Sequence, residues 1–290
     1  MQLKQTLASA VTRLNADRVS SPRLNAESLL MFTLNRDRAY LYAHPERELT
    51  HDEWSRYDAA LGERARGVPT QYITGHQEFW GMDLIVSPAV LIPRPETEHV
   101  IETVLECVGG APLLQAQGKL SPASPLRIAD VGTGSGCIAL ALAKELPQAE
   151  VHASDISAAA LEVARANAAR HQLESRIQFH EADLLAGSEN NAFDLIVSNP
   201  PYVGESEEDQ VQLEVRKFEP RGAVFAGPTG MEVIMRLIPQ ARAALKPGGW
   251  LVMEISGTIS EQVRQLLQDW NDVRIGPDLQ SIPRVVQARK

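Results

Sequence analysis

The first 73 residues alternate apolar and polar positions with the spacing of amphipathic helices. In the first of these, apolar residues recur every three or four positions, at Leu3, Leu7, Val11 and Leu14. A serine followed by a proline at Ser21-Pro22 predicts the start of a second helix. Thr50 and Glu53 have the spacing of a capping box, which predicts a further helix start. We therefore expect a small helical bundle over residues 1–73.

The period of the pattern changes after this region. Apolar side chains occupy every second position at Met82, Leu84 and Val86. This spacing predicts a strand or hairpin that ends at Pro88. The segment 92–95 is expected to be extended, because a proline disfavours helix in the residue before it. Acidic residues from Glu96 to Glu98 favour a helix start, since negative charge is stabilised at a helix N-terminus. Residues 74–98 are thus predicted to form a β-hairpin and an extended connector.

From Leu126 onward, short apolar runs alternate with helical patterns. The predicted strands are Leu126–Val131, Glu150–Asp155, Ile177–His180, Phe193–Ser198 and Trp250–Ile255. The predicted helices open near Ser135, Ser157, Thr229 and Ser260. The C-terminal segments VRIGPD and VVQARK are candidates for two further strands. This alternation predicts an α/β domain over residues 99–290, with a mostly parallel sheet covered by helices on both faces. Residues 109–125 have the composition of a loop.

Composition and charge narrow the class of protein. The chain has 290 residues, 44% hydrophobic and 22% charged, which is typical of a globular protein with one large and one smaller domain. No signal peptide or membrane span is recognisable, and Cys107 and Cys137 are too few for a disulfide framework, so a cytoplasmic protein is expected. The net charge is −9, with ten Lys and Arg against nine Asp and Glu in residues 1–73 and 18 against 28 in the rest. Direct binding of nucleic acid is therefore disfavoured. The seven histidines show no metal-ligand spacing, and we assign no metal.

A glycine-rich segment, residues 132–136, lies where the first strand of the predicted sheet turns into a helix. Its alternate glycines, Gly132, Gly134 and Gly136, allow positive φ angles and a close approach of the backbone to a ligand. The N-terminus of the helix that follows attracts an anionic group. Cys137 stands where the dinucleotide fingerprint has its third glycine, which disfavours NAD or FAD. A nucleoside that carries an amino-acid carboxylate fits this segment better.

The next two predicted strands each run into an aspartate. Asp155 lies 23 residues after Gly132, a position from which a carboxylate can accept both ribose hydroxyls. Asp183 is placed to accept from an adenine amino group, with Leu184 beside the ring. Plainer interpretations stay open: the glycines form an ordinary strand-to-helix turn, and Asp155 is the cap of the next helix. We interpret Cys137 as a small buried apolar residue.

The segment Asn199-Pro200-Pro201-Tyr202 follows the fourth predicted strand and would lie at the same sheet edge. The Asn199 side chain and the Pro200 backbone each offer a carbonyl acceptor, and together they can hold both N–H bonds of a planar NH₂ group. These two hydrogen bonds draw electron density toward the nitrogen and orient its lone pair toward an electrophile. Pro201 stiffens the loop, and Tyr202 can lie flat against the planar group. A surface proline turn is the plainer alternative.

Further segments make a family recognisable. They are Pro69-x-Gln71-Tyr72-Ile73-x-Gly75, Glu78-Phe79-x-Gly81, Leu91-Ile92-Pro93-Arg94-Pro95-Glu96-Thr97-Glu98 and Glu219-Pro220. With the glycine loop and Asn-Pro-Pro-Tyr, the chain resembles the class I AdoMet-dependent methyltransferases, and among them the release factor glutamine methyltransferase family (PrmC/HemK), over nearly its whole length. The resemblance implies a Rossmann-like domain with a mostly parallel seven-stranded sheet, preceded by the small helical bundle and the β-hairpin.

The resemblance also implies an activity. A methyl group passes from S-adenosyl-L-methionine (AdoMet) to the side-chain N5 of the glutamine in the Gly-Gly-Gln motif of class I peptide-chain release factors, leaving S-adenosyl-L-homocysteine. The implied catalytic and substrate-binding residues are Asn199, Pro200, Pro201 and Tyr202. The implied AdoMet-binding residues are Gly132, Thr133, Gly134, Ser135, Gly136, Asp155, Asp183, Leu184 and Asn199. The helices of residues 1–73 are implied to help dock the release factor.

Two departures and three rival functions remain at this point. Relatives can carry an aromatic residue where Leu184 stands and often carry glycine where Ser256 stands. The rivals are a methyltransferase for a ribosomal protein glutamine, an amino methyltransferase for DNA or rRNA bases, and a binding module without catalysis. The nucleic-acid rival predicts a basic recognition module, which the charge distribution does not supply.

Overall fold

The computed structural model describes residues 1–109 and 125–290, so most of the segment predicted to be a loop, residues 109–125, lies outside the described residues. The helices are α1 (Leu3–Ala16), α2 (Pro22–Leu34), α3 (Arg38–Ala43), α4 (His51–Ala65), α5 (Thr70–Thr74), α6 (Glu98–Gly109), α7 (Cys137–Glu145), α8 (Ala158–Arg170), α9 (Leu213–Phe218), α10 (Arg221–Val224), α11 (Glu232–Ala244) and α12 (Ser260–Leu266). The strands are β1 (His76–Phe79), β2 (Met82–Ile85), β3 (Arg127–Val131), β4 (Glu150–Asp155), β5 (Ile177–Glu181), β6 (Phe193–Ser198), β7 (Val203–Gly204), β8 (Phe225–Gly227), β9 (Leu245–Glu254), β10 (Asn271–Pro277) and β11 (Pro283–Arg289). Short 3₁₀ helices span Pro95–Thr97, Glu205–Gln210 and Gly257–Ile259.

The first of two compact units comprises Met1–His76 and Gln212–Phe218. Its helices enclose a core that includes Leu3, Leu14, Leu29, Leu30, Tyr57 and Leu61, with Leu7 and Val11 partly buried against it. The predicted capping box is confirmed: Glu53 N donates to Thr50 Oγ1 over 3.2 Å, and Thr50 N donates to Glu53 Oε2 over 2.9 Å. Helix α2 begins at Pro22 as predicted, but Ser21 has a φ of 47° and its side chain makes no capping hydrogen bond.

The second unit comprises Gln77–Val211 and Glu219–Lys290 and contains a seven-stranded sheet in the order β10-β11-β9-β6-β3-β4-β5. Strands β9, β6, β3, β4 and β5 are parallel, and β11 runs antiparallel between β9 and β10. Strands β1 and β2 form the predicted hairpin. The fold-class prediction is confirmed. The chain places β4 and β5 on one side of β3 and β6 on the other, so the strand order reverses between β3 and β6. Open α/β sheets bind ligands at such a point, beyond the carboxyl ends of the strands.

Two apolar layers cover the sheet, one on each face. Alternate residues of β3 join opposite layers: Ile128 packs with α6 and α7, whereas Ala129 packs with α11 and α12. The predicted strand Trp250–Ile255 corresponds to the second half of β9, which begins earlier, at Leu245. The pairing of β9 with β6 has a register shift between Phe193 and Leu195. The two C-terminal candidates are β10 and β11.

Both cysteines are buried and neither forms a disulfide. The burial of Cys137 confirms its interpretation as a small buried apolar residue, and this burial raises the pKa of its thiol to about 12. No helix within residues 1–109 or 125–290 combines the length and the apolar character needed to cross a membrane.

The packing of α7 against α8 yields a stability prediction. Gly136 has a φ of 83°, and a Cβ there would lie 2.6 Å from Leu140 Cδ1 and 3.2 Å from Ala164 Cβ. We expect Gly136→Ala to lower the free energy of unfolding by about 1–3 kcal/mol, because both the φ angle and the contact penalise a side chain. Gly222→Ala is the matched control. Gly222 is in α10 with no atom within 4 Å of a new Cβ, so alanine is expected to be neutral or stabilising by up to about 1 kcal/mol. Urea unfolding measures both, and equal shifts would contradict the packing argument.

Candidate active site

The sheet brings four strand ends to one edge. Val131 pairs with Ser154 on β4 and with Ser198 on β6, and Ser198 pairs with Met253 on β9. The residues that follow these pairs, Gly132, Asp155, Asn199 and Glu254, are therefore neighbours at the carboxyl edge of the parallel strands. The Ser198 hydroxyl also donates to the Val131 carbonyl over 2.7 Å and ties β6 to β3 at this edge.

The glycine loop leaves an open space in front of its backbone. Gly132 and Gly134 have φ angles of 73° and 55°, and a Cβ at either position would meet no atom within 4 Å. Gly136 stands at the N-cap of α7. The side chains between the glycines point inward: Thr133 and Ser135 are buried. The loop can therefore offer a ligand its backbone rather than its hydroxyl groups.

Asp155 holds the glycine loop in place. Its Oδ2 accepts from Gly134 N over 2.9 Å, and its Oδ1 accepts from Ser157 N over 2.9 Å. The N-cap of α8 is Ser157, whose side chain accepts from Ala160 N, so the interpretation of Asp155 as the helix cap is wrong. A carboxylate has about four acceptor positions, and two remain here for the hydroxyls of a ribose.

Asp130 is a buried carboxyl that the sequence analysis did not single out. Its Oδ2 accepts from Thr133 Oγ1 over 2.6 Å and from Ala139 N over 3.1 Å. Its Oδ1 is buried and has no partner among the described residues. Because the side chain is fully buried, its pKa is raised to about 7. An unpaired carboxylate oxygen beside the glycine loop fits a ligand that carries an ammonium group. A buried aspartate inside the apolar run of β3 was the available signal.

The raised pKa of Asp130 predicts how stability depends on pH. The folded carboxyl holds its proton up to about pH 7, against an ordinary pKa of 3.8, so its contribution to stability is full below 3.8 and is lost as pH rises through 7. Asp130→Asn cannot ionise. As the pH rises from 5 to 8, the free energy of unfolding of the wild type is therefore expected to fall by about 2–3 kcal/mol more than that of the variant. Urea unfolding at both pH values measures this, and parallel losses in the two proteins would contradict it.

Asp183 and Leu184 follow β5 and are held by other groups. The Asp183 carboxylate is paired with Arg236 on α11. Leu184 has a φ of 56° and packs against the apolar layer that α11 covers. Ser154 Oγ donates to the Leu184 carbonyl over 3.2 Å, which holds the segment next to β4. The Asp183 side chain remains 46% exposed in this ion pair.

Asn199 and Pro200 present two acceptors without partners. Asn199 Nδ2 donates to Thr97 Oγ1 over 3.2 Å. Within residues 1–109 and 125–290, no donor pairs with Asn199 Oδ1 or with the Pro200 carbonyl oxygen. The Tyr202 hydroxyl donates to Glu254 Oε1 over 3.1 Å, which fixes the ring. Burial raises the pKa of Tyr202 well above its usual range, so the phenol stays protonated.

Thr97 and Glu254 are two further site residues that the sequence analysis did not assign. Thr97 Oγ1 donates to Glu254 Oε2 over 2.6 Å, and the two side chains are 1% and 2% exposed. Burial raises the pKa of Glu254. A glutamate at the end of the apolar run WLVMEI was a usable signal, since buried carboxylates are rare unless paired. Its partner lies 157 residues earlier in the chain, and no local pattern connects the two.

The chain matches known families and relatives along its whole length. Residues 5–75 match the family model described as the PrmC N-terminal domain, and residues 110–217 match the methyltransferase small domain. A release factor glutamine methyltransferase of Koribacter versatilis is 55% identical over 292 residues, covering 100% of this chain and 99% of the relative. One of Chlorobaculum tepidum is 44% identical, covering 97% and 94%.

Solved structures agree on the fold. The human METTL16 catalytic domain, in complex with a MAT2A 3′UTR hairpin, gives a TM-score of 0.55 at 17% identity, covering 79% of this chain and 81% of that one. At this identity the likeness shows the class I methyltransferase architecture and nothing finer. The family prediction is confirmed by the two relatives: the chain is a methyltransferase that belongs to the release factor glutamine methyltransferase family.

Proposed function

We propose that this enzyme transfers a methyl group from AdoMet to the side-chain N5 of the glutamine in the Gly-Gly-Gln motif of class I peptide-chain release factors. The names of the relatives support the reaction. The observation that carries it is the pair of partnerless acceptors, Asn199 Oδ1 and the Pro200 carbonyl, at the edge that also holds the glycine loop. They suit a carboxamide NH₂, which has two N–H donors.

The residues of this edge fit AdoMet. The open space in front of Gly132 and Gly134 admits a ligand close to the backbone. The partnerless Asp130 Oδ1 suits an ammonium group, and the spare acceptor positions of Asp155 suit the ribose hydroxyls. When bound, AdoMet supplies a methyl group on a sulfonium centre, which is electrophilic. Further backbone contacts to AdoMet would come from Thr133, Ser135, Gly136 and Leu184. Asp183 would contribute a backbone contact or a free carboxylate oxygen.

The residues of the chain would orient and activate the substrate amide. Asn199 Oδ1 and the Pro200 carbonyl accept its two N–H bonds, which draws electron density to the nitrogen and orients its lone pair. The ring of Tyr202, fixed by Glu254, packs on the planar amide. The ring of Pro201 fixes its φ angle and stiffens the loop that presents the Pro200 carbonyl. Positive charge that develops on the nitrogen is stabilised by the two carbonyl oxygens. The methylated nitrogen then loses one of its two protons to water, which gives the neutral N-methyl amide.

The same proposal covers the parts of the chain outside the site. We assign residues 1–73 to docking of the release factor, residues 74–98 to a hairpin and connector, and residues 99–290 to methyl transfer. Residues 5–75 match a family model of their own, which supports a separate N-terminal domain. A cytoplasmic location, where release factors meet ribosomes, belongs to this proposal.

Mass spectrometry of a class I release factor after incubation with the enzyme and AdoMet tests the function. We expect one added methyl group on the glutamine of the Gly-Gly-Gln motif and none when that glutamine is replaced by asparagine. Parallel incubations with a ribosomal protein, DNA and rRNA, using labelled AdoMet, test the rival acceptors. Label in one of these and none in the release factor would contradict the proposal. If calorimetry detects no binding of AdoMet, the result would instead favour the non-catalytic binding module.

A further inference from the structure

Four side chains of the second unit form a continuous hydrogen-bonded chain, which we call the Glu254 relay: Asn199, Thr97, Glu254 and Tyr202. Asn199 Nδ2 donates to Thr97 Oγ1, Thr97 Oγ1 donates to Glu254 Oε2, and the Tyr202 hydroxyl donates to Glu254 Oε1. Thr97 and Glu254 are almost fully buried, so solvent does not replace these bonds. One carboxylate therefore contacts, directly or through one hydroxyl, both polar side chains of the Asn-Pro-Pro-Tyr segment.

The charge of Glu254 sets the direction of every bond in the relay. An ionised carboxylate only accepts, so Thr97 must give its single hydroxyl proton to Glu254. The Thr97 oxygen then has only lone pairs to offer, and the Asn199 group that faces it must be the NH₂ end. The carbonyl end, Asn199 Oδ1, is consequently turned away from Thr97 and has no donor among residues 1–109 and 125–290.

We propose that Glu254 is a positioning residue that acts through Thr97 to hold the Asn199 amide with its carbonyl, rather than its NH₂ group, toward the substrate. This inference rests on the proposed function, in which Asn199 Oδ1 accepts an N–H of the substrate glutamine. An Asn199 amide turned by half a rotation would present two donors to the NH₂ group of the substrate. Donor would then face donor, and the substrate nitrogen would gain no electron density.

Neutralising Glu254 removes this directional control. A glutamine or a protonated glutamate can donate to Thr97 as well as accept from it. If it donates, Thr97 is free to give its proton to Asn199 Oδ1, and the amide turns to the unproductive orientation. Thr97→Val disconnects the relay in another place, because it removes the hydroxyl while keeping the shape of the side chain.

The relay also predicts an acid limb in the pH dependence of kcat. The groups that face Glu254 are Glu96 in the 3₁₀ helix Pro95–Thr97, Cys137 at the start of α7, Tyr202 after β6 and Arg284 on β11. Burial is the largest influence and raises the pKa of the Glu254 carboxyl, while the Arg284 guanidinium opposes this rise. Only the ionised form fixes the direction, so kcat is expected to fall as pH is lowered through that raised pKa.

The experiment compares kcat, KM for the release factor and the AdoMet dissociation constant among Glu254→Gln, Thr97→Val and Thr97→Ser. We expect the first two variants to lower kcat at least about tenfold, with AdoMet affinity unchanged within about threefold. Thr97→Ser keeps the hydroxyl and is expected to retain kcat within about threefold. The kcat of the double variant E254Q/T97V is expected to be no lower than that of the less active single variant, because both changes break the same relay. Glu254→Gln is also expected to lose the acid limb.

Glu261→Gln, an exposed change in α12, is the matched control and is expected to leave kcat unchanged. Values of kcat within about threefold of wild type for both Glu254→Gln and Thr97→Val would overturn the inference. A fall in Thr97→Ser as large as that in Thr97→Val would also overturn it, because packing rather than the hydroxyl would then matter. If these variants are active while Asn199→Ala is inactive, the relay fails and the proposed function stands. If Asn199→Ala is fully active, the relay and the paired-acceptor mechanism both fail. The proposed function fails only if the wild-type enzyme leaves the release factor unmethylated.

Discussion

Asn199→Ala is expected to lower kcat by about 100- to 1,000-fold, the loss typical of removing one preorganised polar group that stabilises a transition state. The alanine leaves the Pro200 carbonyl as the single acceptor for the substrate NH₂, so the nitrogen lone pair is no longer held in one direction. Asn199 makes one side-chain hydrogen bond in the described structure, to Thr97, and the backbone does not depend on its amide. AdoMet affinity is therefore expected to change less than about threefold.

Steady-state kinetics with an unmodified release factor, together with calorimetric titration of AdoMet, measures both quantities. Asn15→Ala serves as the matched control, because Asn15 is exposed on α1 and its loss is expected to leave kcat unchanged. A kcat within about threefold of wild type for Asn199→Ala would contradict the paired-acceptor mechanism. A loss of kcat accompanied by an equal loss of AdoMet affinity would contradict the assignment of Asn199 to the substrate amide.

Asp155→Ala is expected to weaken AdoMet binding by about 100-fold. The variant loses the carboxylate that accepts from Gly134 N and so releases the glycine loop, and it also loses the acceptors proposed for the ribose hydroxyls. Hydrogen bonds to a charged group contribute about 1.5–3 kcal/mol each, so one or two of them account for a change of this size. At saturating AdoMet, kcat is expected to fall much less than in Asn199→Ala.

Equilibrium titration of AdoMet tests this second expectation. Asp155→Asn keeps one acceptor oxygen and is expected to give an intermediate affinity. Asp269→Ala, an exposed aspartate beyond α12, is the control that removes a carboxylate far from the glycine loop in the sequence. An AdoMet dissociation constant for Asp155→Ala within about threefold of wild type would contradict the assignment.

The strand ends of the second unit could be predicted because their signals are local. Apolar runs such as Phe193–Ser198 identify the strands, and the carboxyl ends of parallel strands must meet at one edge. The sequence therefore predicts that the glycine loop, Asp155 and Asn199 lie together at this edge. The register pairs of Val131 with Ser154 and Ser198 show that this placement is the one adopted.

The supporting contacts could not be predicted in the same way. Glu254 meets Thr97 because β9 pairs with β6 and because the chain before α6 returns to this edge, and both facts require the complete topology. Asp130 was visible as an acidic residue in an apolar strand, but its partnerless oxygen depends on how Thr133 and Ala139 occupy the other one. Ser21 shows the reverse case: a good local signal placed the helix start, although the side chain does not cap it.

In this mechanism two carbonyl oxygens hold the substrate carboxamide, and a crystal structure with S-adenosyl-L-homocysteine and a Gly-Gly-Gln peptide would show both contacts. We expect the glutamine side-chain nitrogen to lie about 2.7–3.2 Å from both Asn199 Oδ1 and the Pro200 carbonyl oxygen. A glutamine amide bound through other residues, with these two oxygens facing solvent, would rule out the paired-acceptor mechanism.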